Sequence, residues 1–159
     1  MPVLVWSEAL ALEHARMDAT HREFIDRLVA VEAAQDADLP ILLGAYDALI
    51  EHCVAHFGQE DRWMAATGFA PENCHSRQHS QVLDTLRDVR RFAVDQGKPD
   101  LIGQLLAELA HWFEQHAHAA DAALAAHLRD VGFDADSGHV EGTVGAIAIS
   151  TCGSKRCAA

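Results

Sequence analysis

The sequence predicts an all-α protein, an up-down-up-down four-helix bundle with an N-terminal arm and a flexible C-terminal tail. Three observations predict it. Four segments repeat apolar residues at helical spacing, short links carrying Gly or Pro separate them, and nothing alternates with period two long enough to make a strand. At 159 residues the chain suits one domain around a single core.

Residues 1–17 are a non-periodic arm, expected to lie across one end of the bundle with Trp6 as its anchor. The first helix runs from about 18 to 35 and carries Phe24, Ile25, Leu28, Val29 and Val31 at core spacing. The second starts at Pro40, a residue suited to a first turn, and continues through Ile41, Leu42, Leu49 and Ile50 to Met64. Thr67-Gly68 stops it, because glycine accepts the left-handed conformation of a helix end. The third follows Pro71 and ends before Gly97-Lys98-Pro99; the fourth runs from about 100 to 130 and ends at Gly132. The bundle therefore spans 18–136. Residues 137–159, dominated by Gly, Ala, Ser and Thr, read as a disordered tail that cannot bury a core.

Charge narrows the function classes. Acidic residues outnumber basic ones 24 to 12, for a net −12 with histidine neutral. Such a surface repels phosphate backbones and anionic lipid heads, which argues against nucleic acid and membrane as partners. No apolar run approaches the length of a membrane span. The opening MPVLVWSEALAL has no basic n-region and carries Glu8, so no signal peptide is expected. Cys53, Cys74, Cys152 and Cys157 form no zinc pattern, and their placement suggests reduced thiols and a cytoplasmic location.

Eleven histidines in so short a chain are the compositional oddity. His56 and Glu60 are four apart on the second helix, as are His75 and His79 on the third; His116 and Asp121 lie five apart on the fourth, and His21 near the start of the first. Any one pair is ordinary on a solvated helix face. Folding the chain into antiparallel neighbours is more telling, since residues equidistant from a connecting loop face each other. With loop centres near 37, 68 and 98, His56 meets His21, Glu60 meets His75, and His79 and His75 meet His116 and Asp121. At about 1.5 Å per residue, all these side chains fall within roughly two turns of one level.

Five imidazoles and two carboxylates suit two metal ions in a buried layer. Each carboxylate can bridge both ions and offset charge that a dry core does not tolerate. Imidazole-rich donors without thiolate fit iron, zinc or copper. These donors are fewer than two octahedra need, so a bridging oxygen and an open position are expected. A ferritin-like di-iron oxidase is excluded: Glu72-x-x-His75 and Glu108-x-x-His111 sit at opposite ends of the layer, roughly 20 Å apart in level. The spacing of His116 and Asp121 carries a further expectation. Residues five apart on a regular α-helix point about 140° from each other. A single π-type turn there would return both to one face; the alternative is that Asp121 reaches across from the flank.

Taken in order, the motifs Trp6-Ser7-Glu8, Asp18-x-x-His21, His56-Phe57-x-x-Glu60, His75-x-x-x-His79 and Trp112-x-x-x-His116-x-x-x-x-Asp121 resemble those of the hemerythrins, specifically the single-domain bacterial ones, over about residues 3–130. The resemblance implies a cofactor of two iron ions, Fe2+/Fe3+, with a bridging oxo or hydroxo group. It implies that His75, His79 and His116 hold one iron, His21 and His56 the other, and that Glu60 and Asp121 bridge. Molecular oxygen is then the expected partner, bound reversibly at the two-histidine iron and held as hydroperoxide. By the same analogy Phe24, Phe57, Trp112 and Phe113 wall the oxygen pocket; the plainer reading of each is an ordinary core aromatic. The expectation is a carrier, store or delivery protein rather than an enzyme. The alternatives use the same site to sense oxygen or nitric oxide, through a separate protein partner, or to reduce peroxide or nitric oxide.

Two departures stand out. Asp61 follows the bridging position where many relatives have a second Glu, and Leu12-Glu13-His14-Ala15 replaces a glycine-containing turn before Asp18. Neither is expected to touch a ligand. His52 and His111 fall at one level below the ligands and are read as satisfied helix residues rather than a supporting pair. His14, His118, His127 and His139 are placed on the surface.

Overall fold

The computed structural model describes residues 1–69 and 73–141. Its helices are α1 (Ala15–Ala33), α2 (Leu39–Ala66), α3 (Cys74–Asp95), α4 (Asp100–His116) and α5 (Ala122–Asp130), the last two joined without a break by a π turn at Ala117–Asp121. The path α4–π turn–α5 is the fourth helix of the bundle. Each helix packs on its chain neighbours, and α1 closes against α4, which is the up-down-up-down arrangement.

Local chemistry sets the helix ends. The His14 ring caps α1, its Nδ1 accepting from the Met17 N–H at 3.2 Å. Asn73 caps α3 by accepting from the Ser76 N–H at 2.8 Å. Gly68 and Gly97 take left-handed φ values of 69° and 61° where α2 and α3 stop.

Two apolar clusters fill the bundle. One, built around Phe24, Leu28, Tyr46, Leu49, Leu86, Ile102 and Leu106, occupies the lower part. The other, of Met17, Trp63, Met64, Phe69, Leu124, Ala125 and Leu128, closes the opposite end. The predicted ligands lie in the layer between them, cut off from water on both sides.

Four expectations need correction. The arm does not cross one end of the bundle but runs antiparallel along α1. Val3 N–H donates to Glu32 near the end of α1, Arg22 stacks on the Trp6 ring at 4.0 Å, and Leu12 N–H donates to Asp18 near its start. Leu4 and Leu10 are buried, so they seat the arm more deeply than the half-buried Trp6. The arm is extended apart from a single 3-10 turn at Glu8–Leu10, and its two buried apolar side chains join the larger core cluster. Next, Cys74 is disulfide-bonded rather than reduced. It stands half-buried at the first residue of α3, open to pairing, whereas Cys53 is a free thiol inside the core, where burial pushes its pKa up to about 12. Cysteine spacing along the chain does not report proximity in space, and the thiols no longer argue for a reducing compartment. Cys152 and Cys157 lie outside the described residues.

Last, His127 is buried rather than on the surface, its Nε2 3.0 Å from both the carbonyl and the hydroxyl oxygen of Thr67. Residues 137–141, assigned to the tail, fold back so that Phe133 and Val140 form an isolated antiparallel bridge. The rest of the tail, 142–159, lies outside the described residues. Among the described residues no helix is long and apolar enough to cross a membrane.

Candidate metal centre

Four helices and the π turn bring the seven predicted ligands together. His21 comes from α1, His56 and Glu60 from successive turns of α2, His75 and His79 from successive turns of α3, His116 from the end of α4 and Asp121 from the end of the π turn. All are buried, none more than 3% exposed. The π turn accounts for the five-residue spacing. The Ala122 N–H reaches back to the Ala117 carbonyl, five residues earlier, and the local widening brings Asp121 round to the face of His116. The His116 Nε2 and the Asp121 Oδ1 are 3.1 Å apart.

The carboxylate oxygens sort the imidazoles into two sets. Glu60 Oε1 is 2.9 Å from His56 Nε2 and 4.0 Å from His21 Nε2. Its other oxygen, Oε2, is 3.2 Å from His75 Nε2 and 3.3 Å from His79 Nε2. Asp121 divides the same way, with Oδ2 3.1 Å from His21 Nε2 and Oδ1 3.0 Å from His75 Nε2. Each carboxylate thus presents one oxygen to the His21–His56 side and one to the side of His75, His79 and His116. The ligand atoms of Glu60, His75, His79, His116 and Asp121 lie within 4.8 Å of one another, and so do those of His21, His56 and Glu60.

These side chains pair poorly by hydrogen bonds, and two groups of them could hold a metal ion. His21 Nε2 and both Asp121 oxygens are fully buried and lack any partner in hydrogen-bonding geometry, although their contacts are as short as 3.0–3.1 Å. His79 Nε2 and His116 Nε2 face each other at 3.1 Å. Lone pairs that converge on points between the side chains, rather than on each other, are what a metal ion requires. The charge balance agrees. Burial, and then Asp121, push the Glu60 carboxyl up, but His56 and His75 outweigh both and hold it well below the usual carboxylate range. Burial likewise opposes ionisation of Asp121, and His116, His21 and His75 overcome it. Burial lowers His75, yet the two carboxylates raise it to about 10. The carboxylates therefore stay charged in the dry core and seek positive charge.

The far sides of the rings differ. His79 Nδ1 lies 3.2 Å from Asp61 Oδ1, which accepts its proton, and His116 Nδ1 donates to Gln78 Oε1 at 2.7 Å. Asp61 therefore does touch a ligand, contrary to expectation. Both partners sit one residue from a ligand, a step that on a helix turns about 100° away from it, so sequence reasoning passed them over. That step is what lets each reach the back of a ring on a neighbouring helix. The Nδ1 atoms of His21, His56 and His75 are buried without such a partner.

Three of the four predicted pocket aromatics stand against rings of the candidate ligands, and Phe24 stands behind one of them. Phe113 meets His21 edge-on at 5.0 Å and stacks on Phe24 at 4.5 Å. Phe57 stacks on His79 at 4.2 Å and lies 5.2 Å from His56. Trp112 stacks on His116 at 4.5 Å, which puts it on the three-histidine side, where it lines a groove between α3 and α4. His52 packs on Phe24 and His56, while His111 is exposed and bonds to Gln115, so the two are not a pair.

Comparison with known proteins agrees with this geometry. Residues 12–128 match the family described as the Hemerythrin HHE cation binding domain. A bacteriohemerythrin of Ralstonia nicotianae is 43% identical over 135 residues, covering 85% of this chain and 96% of that protein. A bacteriohemerythrin of Stenotrophomonas maltophilia is 27% identical over 144 residues, covering 87% and 92%.

Proposed function

The chain belongs to the hemerythrin family, and from that premise we propose that it binds molecular oxygen reversibly at two iron ions held in the layer between its apolar clusters. His75, His79 and His116 hold one ion, His21 and His56 the other, and Glu60 and Asp121 bridge them. The observation that carries this reading is the sorting of the carboxylate oxygens, one from each carboxylate onto each set of imidazoles. With three imidazoles on one side and two on the other, the His21–His56 side keeps fewer protein donors.

Iron bound there supplies the two electrons that reversible oxygen binding requires. The protein supplies position, charge and dryness. The two carboxylates offset part of the metal charge in a core that water does not reach. Asp61 and Gln78 keep a proton on the Nδ1 of His79 and His116, which leaves each Nε2 lone pair free to bind metal. Phe113 and Phe57 pack carbon against the rings of His21 and His56, with Phe24 stacked behind Phe113, and none of the three offers an acid.

The test is stoichiometry. Anaerobically loaded, reduced protein is expected to retain two irons and take up one oxygen molecule per chain, and to return that oxygen under vacuum. Retention of one iron or none, or steady consumption of oxygen in the presence of a reductant, would sink the proposal.

A further inference from the structure

A groove of about 350 Å³ opens between α1 and α2 on the two-histidine side, with the ligand His56 among the residues that line it. Its lining mixes polar side chains with apolar surface. Glu23 stands at the mouth with its side chain 67% exposed, and Thr20 and Gln59 line the walls. Ala19 and Ala55 keep the rim low.

His52 is the informative residue. Its side chain is only 10% exposed, its Nδ1 lies 3.8 Å from Glu23 Oε2, and its Nε2 is buried with no hydrogen-bond partner. An unpartnered imidazole nitrogen buried beneath such a groove is costly unless something entering the groove reaches it. The ring also stands 5.7 Å from that of His56. On α2, His52, His56 and Glu60 recur every four residues, so one stripe of metal-binding side chains descends from the groove into the centre.

We propose that this groove is the route by which a hydrated divalent cation reaches the centre, with Glu23 and His52 forming a transient binding station. The proposal rests on the two-iron reading above. Glu23 attracts the cation and displaces part of its water; His52 offers the next donor; His56 and Glu60 receive it. Arg16, also in the groove, is paired with Asp136 at 3.0 Å, so its charge is offset. The groove on the three-histidine side also carries a carboxylate, Glu108, but it is more apolar, and no imidazole lines it to lead a cation onward.

Isotope exchange on the loaded full chain tests this. Reduced, iron-loaded protein is mixed anaerobically with excess 57Fe2+, and replacement of bound iron is followed by native mass spectrometry. A route acts on arrival and departure alike. The Glu23→Gln/His52→Leu variant is therefore expected to exchange about tenfold more slowly than the parent, with equilibrium occupancy unchanged at two irons. Residues that merely support the centre would do the opposite, since losing them loosens the metal and speeds exchange. Ala55→Leu leaves Glu23, His52 and every ligand in place but fills the groove, and it should slow exchange by itself. Exchange at the parent's rate or faster in both variants would overturn the route and leave the two-iron reading intact. A parent chain that holds no exchangeable pair of irons would overturn both.

Discussion

Asp61 and Gln78 each stand one position from a ligand and hold the far nitrogen of a ligand on another helix. Such contacts fix ring orientation and basicity, and their loss typically costs roughly 10–100-fold in metal affinity. Asp61→Ala is accordingly expected to weaken iron retention by about that factor in a chelator competition, with Asp61→Asn, which keeps an acceptor, falling between it and the parent. Retention equal to the parent in Asp61→Ala would mean that the contact is incidental. Glu13 makes a different point. It holds φ at 55° in the turn that leads into α1, where the resemblance leads one to expect glycine. A left-handed conformation costs an ordinary residue about 1–2 kcal/mol. Glu13→Gly should therefore stabilise the fold by about 1 kcal/mol, seen as a higher urea midpoint at fixed metal content. An unchanged or lower midpoint would show that the turn carries no such strain. The gathering of the seven candidate ligands into one buried layer was legible in the sequence, because they share one level across antiparallel helices. Asp61, Gln78 and His127 were not, because their roles depend on which way a ring's second nitrogen faces, and no spacing rule reports that.

Among the elements, the fourth helix repays its spacing most directly. A spacing of five from His116 to Asp121 is incompatible with a shared face on a regular helix, and a π turn lies where the mismatch falls. Helix periods and stops were equally legible, from Thr67-Gly68, Gly97 and Gly132. The arm was not, because a non-periodic segment carries no signal of direction, and its course was set by Leu4, Leu10 and the Glu32 carboxylate. The start of α3 matters most for the centre, since His75 lies in its first turn. Asn73→Ala removes the cap that accepts the Ser76 N–H at 2.8 Å, and should cost about 1 kcal/mol by chemical denaturation. Asn73→Ser should recover most of that loss. Equal stability of the Ala variant would show that the cap contributes nothing.

At the scale of the whole molecule, the fold is expected to gain stability from bound metal. A layer of five histidines and two carboxylates separates its two apolar clusters, and without cations those groups are desolvated and poorly paired. Metal that binds only the folded chain adds to stability by mass action, about 4 kcal/mol when free metal is about a thousand times Kd. For a chain of this size that is a melting difference of about 10 °C between loaded and stripped protein. A stripped protein that melts with the loaded one would contradict the coupling. The central claim is reversible oxygen binding, and the optical spectrum of the iron-loaded, reduced protein tests it most directly. New absorption bands should appear on admitting oxygen, vanish when oxygen is removed under argon, and return undiminished on a second exposure. No bands, or bands that argon cannot remove, would contradict it.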